Sequence, residues 1–141
     1  MLSEEERKVL DLISDNSDDI TTYLRNLINF KTVAPAIGCA ADDDEYIKHQ
    51  NFVSATLKEM NFDIDSWDID ASKLESYPGS GVMPDRDLSK MPVVVGTLKG
   101  NGKGKSMILN GHCDVVPLGV LENWTRDPFE GKIEDNKIFG R

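Results

Sequence analysis

Basic residues, histidines and cysteines are all scarce in this chain of 141 residues. Sixteen Lys and Arg stand against twenty-five Asp and Glu, a formal charge of −9, with two histidines and two cysteines. That surplus repels phosphate backbones and anionic headgroups, which argues against nucleic acid and membrane surfaces as partners. No apolar run approaches the ~20 residues of a spanning helix. The acidic start Met1-Leu2-Ser3-Glu4-Glu5-Glu6-Arg7 lacks the basic and apolar regions of a secretory leader. The sequence therefore reads as cytoplasmic. In a reducing compartment Cys39 and Cys113, far apart and outside any Cys-x-x-Cys pair, are expected to be free thiols. Without secretion the acceptor pattern Asn123-Trp124-Thr125 carries no glycosylation meaning.

What is present suits one domain with its own core, since 39% of the residues are hydrophobic. Ser3 and Glu6 have capping-box spacing ahead of Val9, Leu10, Leu12 and Ile13, which predicts a first helix. Asp15-Asn16-Ser17 breaks it, and Ser17 or Asp18 can cap a second, whose Ile20, Tyr23, Leu24, Leu27 and Ile28 form one apolar stripe. Pro35 and Gly38 open a loop. The acidic run Asp42-Asp43-Asp44-Glu45 then sits at the positive end of a third helix, with Tyr46, Val53, Leu57 and Met60 on its buried face.

The period then changes. Phe62 and Ile64 alternate with Asp63 and Asp65 as in a strand, and Trp67 and Ile69 continue it out of phase, as a bulge would. Residues 71–91 are polar and aperiodic, a long functional or mobile loop. Pro92-Val93-Val94-Val95-Gly96-Thr97-Leu98 reads as a strand buried on both faces. A glycine-rich turn at 100–104 joins it to a second apolar strand, Ser106–Asn110, as a hairpin. A further hairpin turns at Asp135-Asn136. Helices followed by strands, one of them wholly apolar, give an α/β or α+β domain with helices packed on a sheet. The chain stops at Gly140-Arg141 after a strand-like run, so the domain is expected to be incomplete.

The most informative segment is Leu109-Asn110-Gly111-His112-Cys113-Asp114-Val115-Val116-Pro117. In extended backbone, residues i and i+2 point the same way, so His112 and Asp114 share a side and Cys113 faces the other. A histidine that ligates a metal through one ring nitrogen commonly donates its other N–H to a carboxylate, which fixes tautomer and ring angle. His-x-Asp supplies both parts in one tripeptide. By itself it is more often a surface or satisfied histidine, because metal assignment needs further ligands. Cys113, facing away and with no base placed beside it, reads as a buried inert thiol.

Other constellations fail on spacing. Gly104-Lys105-Ser106 resembles the end of a phosphate loop, but the earlier glycine's place is Lys99 and a strand-like run follows. Asp63-x-Asp65 begins like a calcium loop, yet Trp67 takes the next ligand position and Asp68 the turn glycine's. The acidic run at 42–45 is explained by helix capping. His49 has no His or Cys at i±4 and reads as a surface or boundary residue.

The surroundings of the His-x-Asp give it weight. Gly111-His112-x-Asp114-Val115-Val116-Pro117, then Asn123-Trp124-Thr125-Arg126-Asp127-Pro128-Phe129, then residues 131–141 (Gly-Lys-Ile-Glu-Asp-Asn-Lys-Ile-Phe-Gly-Arg) together resemble the zinc-dependent M20 metallopeptidases and amidohydrolases. The likeness is greatest to the branch of acetylornithine deacetylases and succinyl-diaminopimelate desuccinylases. Lys31-Thr32-Val33-Ala34-Pro35 and Pro92–Gly96 agree with it, and the match is of motif grade from about Pro92 onward.

The resemblance implies a fold: residues 1–141 would be the N-terminal portion of a three-layer α/β/α zinc-hydrolase catalytic domain, without the inserted dimerisation domain. His112 matches the first metal ligand of the family. Asp114 matches the carboxylate that orients it and is counted with the active-site residues. Trp124, Asp127, Pro128 and Phe129 match a recurring packing loop. Two Zn2+ ions per site are implied, with Co2+ left open, along with hydrolysis of the amide bond of an N-acyl amino acid or a related peptide and a homodimeric full-length protein. The bridging aspartate, the glutamate general base and the remaining ligands of the family have no counterpart in these residues, so the chain alone is expected to be inactive. The alternatives are a dipeptidase, tripeptidase or carboxypeptidase of the same family, or a non-catalytic truncated binding form.

Overall fold

The computed structural model describes residues 1–35, 44–82 and 87–141. Cys39, Gly38, Asp42 and Asp43 lie outside them, so the expectations placed there are not addressed. In chain order the elements are α1 (Glu4–Asp15), α2 (Ser17–Ile28), α3 (Glu45–Glu59), β1 (Asp63–Trp67), the single turn α4 (Ala71–Leu74), β2 (Val93–Thr97), a short 3₁₀ turn (Leu121–Asn123), β3 (Lys132–Glu134) and β4 (Lys137–Phe139). The fold is a mixture of helices and short antiparallel sheets, two strands in each. No helix among the described residues is long and apolar enough to cross a membrane. The chain divides into two compact units, residues 1–29 with 120–141, and residues 30–119.

In the first unit the predicted capping box forms: the Glu6 N–H donates to Ser3 Oγ at 3.1 Å and the Ser3 N–H to Glu6 Oε2 at 2.6 Å. The break falls where expected, but the cap of α2 is Asn16 and its side chain makes no capping bond to that helix. The Asn16 amide is instead engaged with the Leu12 carbonyl at the end of α1, at 2.7 Å. Tyr23, Leu27 and Ile28 of the α2 stripe are half-buried, while Ile20 and Leu24 stay exposed. The hairpin of β3 and β4 turns at Asp135 and Asn136, both with positive φ (48° and 58°). This is the combination a two-residue type I′ turn demands, and Asp and Asn tolerate it best after glycine. Arg25 Nε of α2 donates to the Gly131 carbonyl at 3.0 Å. Phe129 is buried, and Asp127 Oδ1 accepts from its N–H at 2.8 Å.

The second unit is organised by α3. Its end is a Schellman motif: Asn61 takes φ 64°, the Phe62 N–H returns to the Leu57 carbonyl at 3.0 Å, and the Asn61 N–H to the Lys58 carbonyl at 3.0 Å. That reversal starts β1 with Phe62 beside Leu57. β1 pairs antiparallel with β2 in unbroken register, from Asp63 opposite Thr97 to Trp67 opposite Val93. Three expectations change as a result. No bulge interrupts β1, and Ile69 lies beyond its end. The partner of β2 is β1, not Ser106–Asn110, and the tight turn after α3 is what carries the chain from α3 into β1. And β2 is not buried on both faces: Gly96 faces α3 while Val95 remains 42% exposed.

Residues 106–110 form no strand among the described residues, and Met107, Ile108 and Leu109 are exposed by 79, 90 and 85%. A strand needs a neighbour to take its N–H and C=O groups, and none is present there. Tyr46 is buried as expected, Val53 and Leu57 are half-buried, and Met60 is exposed because it caps the helix.

His49 is half-buried, edge-on to Phe30 at 5.4 Å, with Nδ1 shut from solvent and unbonded among the described residues. Desolvation pushes its pKa below the ordinary 6.5, against a smaller opposing effect of Gln50. The folded state therefore favours the neutral ring, and an unfolded chain takes up more protons once pH drops below 6.5. Stability is expected to fall as pH decreases through that window, before the carboxylates respond. Glu45, held below its usual 4.5 by Lys48 and by the Lys31 N–H, contributes only at lower pH, where its own protonation removes stability. Urea titrations between pH 7.5 and 3 check this: His49→Phe should abolish the upper slope and leave the lower one.

Candidate functional site

The site is built on a short clasp between residues 31–34 and 113–115. Val33 and Val115 form a parallel bridge, with the Val115 N–H donating to the Thr32 carbonyl at 2.9 Å and the Ala34 N–H to the Val115 carbonyl at 2.8 Å. Thr32, only 2% exposed, donates its hydroxyl to the Cys113 carbonyl at 2.6 Å. Beneath it, the buried Tyr46 hydroxyl of α3 donates to the Thr32 carbonyl at 3.1 Å, and Glu45 Oε2 accepts from the Lys31 N–H at 2.9 Å. The N-terminal half of α3 thus anchors the clasp, and the clasp anchors the His-x-Asp.

The two residues singled out from sequence come together. His112 Nδ1 lies 2.8 Å from Asp114 Oδ1 and 3.1 Å from the Asp114 carbonyl oxygen. A carboxylate and a peptide carbonyl accept, so Nδ1 carries a proton, and in the neutral ring the lone pair is then on Nε2. The His112 side chain is 83% exposed and that of Asp114 41%. Cys113 faces the other way, its Sγ 4.0 Å from the Gln50 amide of α3. Desolvation, then the Asp114 charge, push its thiol above the ordinary 9.0, so it is the protonated and unreactive form that persists.

An exposed imidazole with a fixed Nδ1–H and a basic Nε2 fits one ligand position of a zinc or cobalt centre. It fits no more than one. Among the described residues no group of three or more His, Cys, Asp and Glu side chains stands close enough to hold a metal ion. His49 belongs to the contact with Phe30 and is not part of the pair.

The loop at 124–129 is described within its own unit. The Arg126 guanidinium lies 4.1 Å from the centre of the Phe139 ring and is paired with Glu134, and Arg141 lies over Trp124 at 5.6 Å. A cation held by both a carboxylate and an aromatic face locks the loop to the hairpin. Tyr46 was expected on the buried face of α3 and Thr32 within Lys31–Pro35, but the sequence did not connect either with the His112–Asp114 pair. The signal available was a threonine before Val-Ala-Pro, and nothing in its spacing pointed eighty residues ahead.

No protein-family model matches the chain. Among curated proteins it is similar to an N-formyl-4-amino-5-aminomethyl-2-methylpyrimidine deformylase from Bacillus subtilis (strain 168), 30% identical over 131 residues, covering 92% of this chain and 25% of the relative. It is also similar to succinyl-diaminopimelate desuccinylases. One from Ehrlichia canis (strain Jake) is 55% identical over 42 residues, covering 30% of this chain and 11% of the relative. One from Polynucleobacter necessarius subsp. necessarius (strain STIR1) is 49% identical over 43 residues, 30% of this chain and 11% of the relative. The chain spans about a quarter of the length of the deformylases it matches and about a tenth of the desuccinylases is aligned. One likeness is long and moderate, the other short and strong, and both sets of names describe removal of an acyl group.

Proposed function

We propose that these residues are the N-terminal part of the catalytic domain of a zinc-dependent amide hydrolase of M20 type, acting in the cytoplasm on a small N-acyl compound. The observation that carries this reading is the His112–Asp114 contact, with the ring proton held on Nδ1 and the Nε2 lone pair left for a cation. The similarity to a deformylase and to desuccinylases supports the substrate class, since formyl and succinyl groups are both removed from nitrogen by cleaving an amide. The mixed helix and strand content is what the first part of a three-layer α/β/α domain would contribute.

In this reading His112 would hold one of two zinc ions through Nε2, and Asp114 would keep the imidazole in the donating tautomer. Zinc, when bound, polarises the scissile carbonyl and lowers the pKa of a bound water. The chain's own part is to place Nε2 at a fixed angle and to exclude Cys113 from the chemistry by turning it toward α3. Three protein ligands and a positioned base are the usual minimum for such a site, so the 141 residues alone should be inert.

The longest natural product containing these residues, assayed on N-formyl and N-succinyl amines with and without chelator, tests the reading. Turnover that is lost with chelator, restored by Zn2+ or Co2+ and abolished by His112→Ala is the expected result. Chelator-resistant turnover, or a His112→Ala enzyme of normal rate, would overturn it. Dipeptides and tripeptides in the same panel separate the peptidase alternative, and sedimentation of that product tests the proposed homodimer.

A further inference from the structure

We propose that Thr32 is a positioning residue for the His112–Asp114 pair: it holds both peptide planes that flank Asp114 and so aims that carboxylate at the His112 ring. The peptide before Asp114 is fixed because the Thr32 hydroxyl donates to the Cys113 carbonyl at 2.6 Å. The peptide after it is fixed because the Val115 N–H donates to the Thr32 carbonyl at 2.9 Å. Two soft dihedrals, φ and ψ of Asp114, separate those planes. With both planes held by one residue, the Cα–Cβ direction of Asp114 is set, and Oδ1 meets His112 Nδ1 at 2.8 Å.

Among the described residues Thr32 is the one that bonds both peptides flanking Asp114. The His112 side chain is 83% exposed, and among the described residues its ring nitrogen bonds Asp114, so its angle depends on that contact. Thr32, by contrast, is 2% exposed, and its carbonyl also accepts from the buried Tyr46 hydroxyl at 3.1 Å. A buried donor left without its acceptor is costly, which makes the Thr32–Cys113 bond persistent where a bond in water would be intermittent. The order imposed by α3 on Thr32 is therefore passed, one peptide plane at a time, to an otherwise loosely held exposed pair. For a metal ligand this is preorganisation by a residue that touches neither the ligand nor the metal.

The inference rests on the proposed metal-ligating role of His112, and its test separates the two. With only His49 and His112 in the chain, selective 15N-histidine labelling gives two ring spin systems, assigned by His49→Phe. In the wild-type chain at neutral pH the His112 ring should carry its proton on Nδ1. Thr32→Val keeps the shape and removes the hydroxyl. Thr32→Ser and Thr32→Ala both lose the methyl and differ from each other only by the hydroxyl oxygen, so that pair decides the matter even if Thr32→Val does not fold.

Thr32→Ala and Thr32→Val should shift the ring toward the Nε2–H tautomer. In the longest natural product containing these residues they should weaken Zn2+ binding by about tenfold, the lower end for outer-shell partners. Thr32→Ser should match the wild type in both. A merely structural role would lower the unfolding midpoint of all three variants without moving the tautomer. Wild-type tautomer and zinc affinity in folded Thr32→Ala would overturn the positioning role while leaving the ligand role of His112 intact. A wild-type product that holds Nδ1–H but binds no zinc would overturn the metal reading and leave the positioning role standing.

Discussion

Asp114→Ala, made in the longest natural product that contains these residues, should lower zinc affinity or turnover by ~10–100-fold, the range found when an outer-shell partner of a metal-bound histidine is removed. The carboxylate Oδ1 at 2.8 Å is the nearer of the two acceptors of the His112 Nδ1–H, and the only charged one. Its loss removes the charged acceptor of the ring proton and leaves the Asp114 carbonyl, at 3.1 Å, as the remaining acceptor among the described residues. Because that carbonyl persists, the tautomer should be weakened and not inverted, so the effect should stay short of the complete loss expected of His112→Ala. Zinc content by atomic absorption and kcat/KM on an N-acyl amine measure it. Near-normal values for both would show that Asp114 is a bystander.

Gly96→Val should destabilise the unit of residues 30–119 by about 1–3 kcal/mol, the usual cost of forcing extra atoms into a packed interface. A Cβ on Gly96 would stand 3.0 Å from Leu57 Cδ1 and 3.1 Å from Phe62 Cδ1, closer than carbon atoms in contact normally approach. Those two residues are joined by the Schellman turn that ends α3, so the added atoms must push both side-chain ends aside or shift α3 from β2. Alanine should give the smaller loss and valine the larger. Trp67 of β1, opposite Val93 of β2, reports the transition by fluorescence in a Trp124→Phe background. An unchanged urea midpoint for Gly96→Val would mean that α3 is not seated on β2 as described.

Much of this was legible because the interactions involved are local. The Ser3–Glu6 capping box, the break at Asp15–Ser17 and the Asp135-Asn136 turn are each decided within a few residues, where spacing alone dictates which donors and acceptors meet. The His112–Asp114 contact belongs with them: alternation along an extended backbone puts i and i+2 on one side, and it turns Cys113 away in the same stroke. The exposed ring was legible as chemistry, since histidine beside a carboxylate has one sensible proton position.

Strand partnership was not legible. The run Val93–Thr97 and the run Ser106–Asn110 are both apolar, and the glycines between them fit a hairpin, yet hydrophobicity says that a strand wants a neighbour without saying which. The Schellman turn at Asn61 leads into β1, which pairs with β2, while α3 covers the Gly96 face of β2 and Val95 stays exposed. Thr32 was hidden for the same reason, because a hydrogen bond to the carbonyl of Cys113 joins positions whose separation in sequence leaves no periodic trace.

The amino-acid order by itself determined the helices of residues 4–28, the final hairpin, and the pairing of one imidazole with one carboxylate, since each depends on neighbours a turn or a pleat away. The tertiary structure alone decided that α3, through Tyr46 and Thr32, holds the backbone on both sides of that carboxylate, because backbone groups carry no residue-specific label until folding chooses which of them meet.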